Sequence, residues 1–183
     1  MELLHGSPAD MRGRSAREIK AYEFLDRLGV EFDRTDHPET PATTMEVCAE
    51  VDAILGVHIC KNLFLCNRQK TKFFLLMMPG DKVFKTKELT PQIGAGRLSF
   101  GDPDDLLRML DILPGAVSVM GLLNDPEGRV TLLVDEDVLA GETLGCHPCV
   151  STSSLKLRTE DVFGKFVPAT GHRAETVRLV GAD

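Results

Sequence analysis

The sequence predicts an α+β domain built on a mixed, mainly antiparallel sheet, and three observations carry that prediction. Residues 61–66 and 72–78 are two apolar runs parted by the polar stretch 67–71, the pattern of a β-hairpin. Several helical stretches carry their own start and stop residues. Helices, hairpins and single strands follow one another without the regular βαβ alternation of a parallel sheet.

Taken in order, Ser15 and Glu18 form a capping-box pair. Ile19, Tyr22, Leu25 and Leu28 follow at helical spacing until Gly29, which predicts the first helix. Residues 30–35 alternate apolar and polar as a half-buried strand does, and Asp36, His37 and Pro38 break the run. Thr43 with Glu46 makes a second capping box, opening a helix that reaches Leu55 and is closed by Gly56. After the hairpin, Pro79 and Gly80 turn the chain into a short helix over 86–92, then Arg97 and a strand over 98–100. Asp102, Pro103 and Asp105 are the cap, first-turn proline and first-turn carboxylate of a helix carrying Leu106, Leu107, Met109 and Leu110. It stops before Pro114 and Gly115. Residues 116–123 and 129–134 flank a strong turn signal from Asn124 to Gly128, which predicts a second hairpin. A helical turn over 136–139, a strand through Leu155 and Leu157, a helix over 159–167 and a last strand over 176–179 complete the chain. Residues 1–14 read as an N-terminal arm and 15–183 as one domain.

Composition narrows the function. With 43% hydrophobic residues the chain can bury a real core, and no run approaches the roughly 18 apolar residues of a membrane helix. Residues 1–11 lack the basic start and apolar middle of a secretory signal, so a cytoplasmic protein with no membrane partner is expected. A net charge of −7 argues against coating nucleic acid through an overall field; general DNA binding is disfavoured and any nucleic-acid contact must be local. Basic clusters at Arg12, Arg14, Arg17 and Lys20, at Lys82, Lys85 and Lys87, at Arg97, and at Lys156 and Arg158 are the candidates. Five cysteines without a repeated spacing describe no disulfide framework. Cys146, His147 and Cys149 crowd three ligands around Pro148, with no matching second pair for zinc, so no metal and no cofactor are expected.

The residues that invite chemistry are few. There is no P-loop, no G-x-S-x-G elbow and no H-E-x-x-H, and no carboxylate–histidine pair is evident. Lys61 and Asn62 stand at the mouth of the first apolar strand. An ammonium there is costly to bury unless it snorkels to water or meets an anion. The loop at Pro114 and Gly115, and Gly145 to His147 with the hydroxyls that follow, complete the set. A histidine such as His147 is as readily a loop residue holding a backbone carbonyl.

Four segments in order carry a family resemblance: Lys61-Asn62-Leu63-Phe64-Leu65, Arg97-Leu98-Ser99-Phe100, Leu113-Pro114-Gly115-Ala116-Val117-Ser118, and His147-Pro148 followed by Ser151-Thr152. Together they resemble the YbaK and prolyl-tRNA-synthetase-associated editing domains, nearest to the freestanding members that remove alanine from tRNA(Pro). Two departures stand out. Val119 occupies the place of a loop proline, and Ser151 that of an asparagine whose amide offers two donors where a hydroxyl offers one.

The resemblance implies a partly barrel-like sheet flanked by helices, and a substrate-assisted aminoacyl-tRNA deacylase without cofactor. Lys61, Asn62 and Gly115 are its implied catalytic residues; Thr44, Gly145, His147, Ser151 and Thr152 bind substrate. Arg14, Arg17, Lys20 and Arg97 meet the acceptor end of a mischarged tRNA, with prolyl-tRNA synthetase as a further partner. Two alternatives share the fold: a deacylase for cysteine or serine, and a noncatalytic module that binds tRNA or a synthetase.

Overall fold

The computed structural model describes residues 1–39 and 45–182. Its nine strands among these residues form two sheets. One runs β1 (Leu4–His5), β2 (Phe32–Asp36), β8 (Ser153–Arg158), β7 (Thr143–Cys146), every neighbouring pair antiparallel. The other runs β5 (Leu98–Phe100), β3 (Lys61–Asn67), β4 (Phe73–Met78), β6 (Val130–Asp135), β9 (Ala174–Val177). Here β4 and β5 flank β3 antiparallel, while β6 lies parallel to both β4 and β9. The class is therefore α+β with a mixed, mainly antiparallel arrangement, but among the described residues no barrel closes: a single bridge, Ile59 to Gly145, joins the sheets. The expected partly barrel-like sheet is corrected to two sheets meeting at one seam.

The unbroken apolar run of β4 has a plain cause, since both of its faces are covered. Phe73, Leu75 and Met77 enter the larger core with Phe64, Leu132 and Val134, and with Tyr22 and Leu25 of helix α1 (Ala16–Arg27). Phe74, Leu76 and Met78 enter a second core with Leu65, Leu133, Val177 and Leu89 of α3 (Thr86–Ile93). The expected capping box of α1 is present: Ser15 Oγ accepts from Arg17 N and Glu18 Oε1 accepts from Ser15 N. Helix α2 (Met45–Leu55) precedes Gly56 as expected, while the cap at Thr43 lies outside the described residues. In α4 (Pro103–Leu110) the Asp102 carboxylate accepts from Asp105 N, as its sequence predicts.

The second hairpin does not form. Residues Val119–Asn124 make a 3-10 turn capped by Ser118, whose Oγ accepts from Met120 N. Gly121 packs so closely on Ile112 that a Cβ there would lie 2.4 Å from its Cδ1. The segment thus folds back onto the end of α4, and the Asp125 carboxylate, accepting from Arg129 N and Val130 N, launches β6 toward β4 instead. A helical turn, α5 (Glu136–Ala140), follows β6. The predicted helix over 159–167 is α6 (Thr159–Asp161), a π-helical turn (Val162–Phe166) and α7 (Val167–Ala169). The last strand lies at 174–177, two residues earlier than expected. Among the described residues no helix is long and apolar enough to cross a membrane.

Candidate functional site

Where α2 ends, the chain passes Gly56 and crosses the seam between the sheets before entering β3. Cys60 N donates to Gly145 O at 2.9 Å, so residues 57–60 are stitched to β7. A cleft of about 320 Å³ opens against this crossing. Val47 and Val51 of α2 and Ile59 give it apolar walls; Lys61, Asp52, His58, His37, His147 and Ser154 bring polar groups.

Lys61 is half-buried, and its Nζ donates to Lys82 O at 2.5 Å. Among the described residues it makes no ion pair. The neighbouring Lys82 is the amine that the protein neutralises for itself: its Nζ meets Asp135 at 2.8 Å and Asp137 at 2.7 Å. Burial lowers the Lys82 pKa, but the two aspartates outweigh it and hold the amine above its ordinary value. Lys61 thus borders the cavity with no carboxylate within ion-pair distance among the described residues.

Two histidines stand at the inner end. His37 Nδ1 lies 3.2 Å from Pro38 O, so that nitrogen donates; Nε2, 2.9 Å from Ser154 Oγ, accepts from the hydroxyl. His147 Nδ1 donates to Ser153 O at 2.8 Å, which leaves the Nε2 lone pair of its neutral ring available. Burial pushes the His147 pKa below the usual histidine value, the Ser153 carbonyl opposes this, and the nearby His37 adds to it. The two rings are 6.2 Å apart.

A carboxylate–histidine pair does exist, contrary to the sequence reading. His58 Nδ1 and Asp52 Oδ2 are 2.5 Å apart, and Asp52 Oδ1 accepts from Ile59 N at 3.2 Å. Gly80 leaves the space for it: a Cβ there would lie 2.9 Å from His58 Nε2 and 2.5 Å from Ile59 O. With Nδ1 donating to the carboxylate, Nε2 is the basic nitrogen.

Of the residues singled out in the sequence, Lys61 and His147 line this cleft together. Asn62 stands beside it, its amide donating to Cys60 O at 3.2 Å while Oδ1 is buried without a partner among the described residues. Gly115 is exposed in a left-handed turn with φ 92°; its loop reaches the site indirectly, through Ser118 Oγ donating to His147 O. Gly145 is buried under Ile59 at the seam. Ser151 and Thr152 lie in the turn behind His37, where Thr152 O accepts from His37 N at 2.9 Å. Thr44 lies outside the described residues. Arg14 is paired with Asp36, Arg17 with Asp111, and Lys20 donates to Asn124; Arg97 is exposed without a partner among the described residues. Nor do the described residues contain a group of three or more histidine, cysteine or acidic side chains able to hold a metal.

Comparison with known proteins gives a consistent picture. The sequence model of the aminoacyl-tRNA editing domain matches residues 39–164. The prolyl-tRNA editing protein ProX of Acetoanaerobium sticklandii is 30% identical over 155 residues, covering 85% of this chain and 93% of that protein. The mouse prolyl-tRNA synthetase associated domain-containing protein 1 is 33% identical over 162 residues, covering 85% of this chain and 93% of that one. A solved structure described as a candidate trans-editing enzyme for prolyl tRNA synthetase superposes with a TM-score of 0.64 at 15% identity, over 90% of this chain and 98% of that chain.

Proposed function

Because the chain belongs to the aminoacyl-tRNA editing domain family, we propose that it is a trans-editing deacylase that hydrolyses the ester of a mischarged tRNA, with alanine on tRNA(Pro) as substrate. The observation that carries the proposal is the ammonium of Lys61, half-buried at the edge of a small, partly apolar cleft; among the described residues it makes no ion pair, and the cleft's own carboxylate, Asp52, is held by His58.

In this reading the ester lies across the cleft. Lys61 shares its remaining N–H groups with the terminal phosphate or with the carbonyl oxygen as negative charge develops, and a preorganised charged donor is most effective there. Water adds to the carbonyl carbon, the bond to the ribose oxygen breaks, and that oxygen takes up the proton the water gives off. Free alanine and intact tRNA leave. The neighbouring ribose hydroxyl orients the water, so the reaction is substrate-assisted. His147, neutral and with Nε2 open, accepts from the amino group of the aminoacyl moiety. Asn62 and the turn at Ser151 and Thr152 support these groups from behind. Val47, Val51 and Ile59 bound a space that admits a methyl group and rejects the proline ring by clash, the direction in which a pocket discriminates most sharply.

The 2.5 Å pair of His58 and Asp52 favours a second reading of one step, in which His58 Nε2 takes the proton from water. His58→Asn separates the two. A base role predicts loss of the acidic limb of the pH–rate profile, whereas an unchanged profile leaves the ribose hydroxyl in charge.

The test is side-by-side deacylation of tRNA(Pro) carrying alanine, cysteine, serine or proline. The alanyl ester is expected to turn over fastest and the prolyl ester no faster than in buffer. Faster loss of cysteine or serine would reassign the amino acid; no acceleration of any ester would leave a noncatalytic tRNA- or synthetase-binding module.

A further inference from the structure

We propose that a second pocket, at the opposite end of β3 from Lys61, binds the phosphodiester backbone of the RNA whose aminoacyl end occupies the cleft; the identity of that RNA rests on the deacylase reading. The pocket, of about 290 Å³, is formed by the β3–β4 turn, with Arg68 and Lys72, and by the loop after α3, with Gly94, Ala95, Gly96 and Arg97. Among the described residues no carboxylate lines it.

Its three cations are the unusual feature. Arg68, Lys72 and Arg97 are all exposed, and among the described residues none of their side chains has a hydrogen bond or an ion pair. Several cations elsewhere are already engaged: Arg14, Arg17, Arg108 and Arg129 are each held by an aspartate. On a chain of net charge −7, three cations with unpaired side chains around one concavity make a local positive field.

The site is also rigid where it needs to be. Asn67 Oδ1 accepts from Thr71 N at 2.9 Å and Lys72 N at 3.0 Å, and Lys70 in its left-handed conformation reaches Asp102 at 2.5 Å, pinning the turn to the start of α4. Arg68 and Lys72 therefore project from a fixed turn, so less conformational freedom is lost on binding. The glycine at 94, with φ 62°, ends α3 and lets the backbone bend past the pocket floor.

The geometry points to a polymer and not to a small anion. Lys61 and Asn67 are the two ends of β3, separated by about 20 Å at the rise of a strand, and the sheet face they share is packed under α3 between them, so a polymer joining the two ends passes outside that helix. A free phosphate can occupy one end only. A strand whose 3′ ester sits at Lys61 runs on toward the other end, where repeated phosphates meet Arg68, Lys72 and Arg97, and such contacts position the RNA without reading its bases.

The experiment replaces the three cations together, Arg68→Gln, Lys72→Gln and Arg97→Gln, in the full chain. A control variant carries Arg108→Gln, Lys165→Gln and Arg178→Gln, three exposed cations that already have carboxylate partners. Uncharged tRNA(Pro) is titrated over a range of salt concentrations. For the triple variant the slope of log K against log salt is expected to be shallower by about 2 to 3, as befits three lost phosphate contacts, and Kd to rise about tenfold or more. With Ala-tRNA(Pro) its KM rises while kcat holds, and an alanyl ester of the trinucleotide CCA is hydrolysed at the wild-type rate. The control variant keeps the wild-type slope.

Unchanged slope and KM in the triple variant would overturn the site while leaving the deacylase reading intact. So would competition by millimolar inorganic phosphate at the pocket with no effect of the substitutions on tRNA. If the triple variant shows the predicted slope change in tRNA binding yet the wild type hydrolyses nothing, the deacylase reading falls and the phosphate site stands. If it neither binds nor hydrolyses, both fall.

Discussion

Gly145→Ala probes the seam that locates the cleft. A Cβ at this position would lie 2.5 Å from Ile59 Cδ1, and 3.2 Å from both Ile59 Cα and Val57 Cγ1. Carbon atoms sit comfortably at about 3.5–4.0 Å, so the first contact overlaps by about 1 Å or more and the backbone contact by a few tenths. The Ile59 methyl can rotate away; its Cα cannot, because Ile59 is the bridge to Gly145 and Cys60 N is bonded to Gly145 O. The loop must yield, and Lys61 follows two residues on. Overpacking of this kind costs about 1–3 kcal/mol, which for a chain of this length lowers Tm by about 2 to 12 °C. A displacement approaching 1 Å at a reacting centre lowers turnover by up to about 100-fold. Calorimetry gives the first quantity and single-turnover deacylation the second. Shortening the neighbour in Gly145→Ala/Ile59→Val removes the worst overlap, so the double variant should be more stable than the sum of the single effects. Loss of turnover with unchanged Tm and no rescue would refute the seam argument and mark Gly145 as a direct substrate contact.

Two further outcomes follow from groups around the cleft. His147 is held neutral in the fold by burial, so its folded pKa lies below the ordinary value. The unfolded chain then binds this proton first as pH falls, and the histidine's contribution, present above about pH 6.5, is lost as pH drops toward the folded pKa. Thermal unfolding at pH 7.5 and 5.5 should show lower stability at 5.5, with a smaller difference in His147→Gln; an equal difference contradicts this. Among the cysteines, burial pushes Cys60 up to about 11 and Cys149 up to about 12, and Cys146 also upward, while Cys66 is buried. Exposed Cys48 lines the cleft, so iodoacetamide at pH 8 should label it first and reduce deacylation, and Cys48→Ser should be insensitive; mass spectrometry locates the adduct.

Local signals in the sequence reached the elements whose boundaries are local. The Ser15–Glu18 box, the Asp102–Pro103 start and the double-faced apolar run of β4 each state their structure within a few residues. Residues 116–123 do not, because an apolar stretch serves a strand or a 3-10 turn equally, and Gly121 against Ile112 decides between them only in three dimensions. Strand β7, with Gly145 and Cys146, is likewise fixed by its pairing with β8 and not by composition. In the site, Lys61 stood out because a cation at the mouth of a buried strand needs a reason. Asp52 and His58 did not, since Gly56 lies between them and turns one toward the other. Nor did His37 and Ser154, which are 117 residues apart and meet only because β2 pairs with β8.

Lys61 is the residue on which the proposed hydrolysis depends, and its substitution is the most direct measurement. Single-turnover deacylation of Ala-tRNA(Pro) by Lys61→Ala should fall about 100- to 1,000-fold, the usual effect of removing one preorganised donor from a developing oxyanion. Circular dichroism should be unchanged, because the bond lost is one from a half-buried amine to Lys82 O. Turnover within twofold of the wild type, with the fold intact, would contradict the central claim.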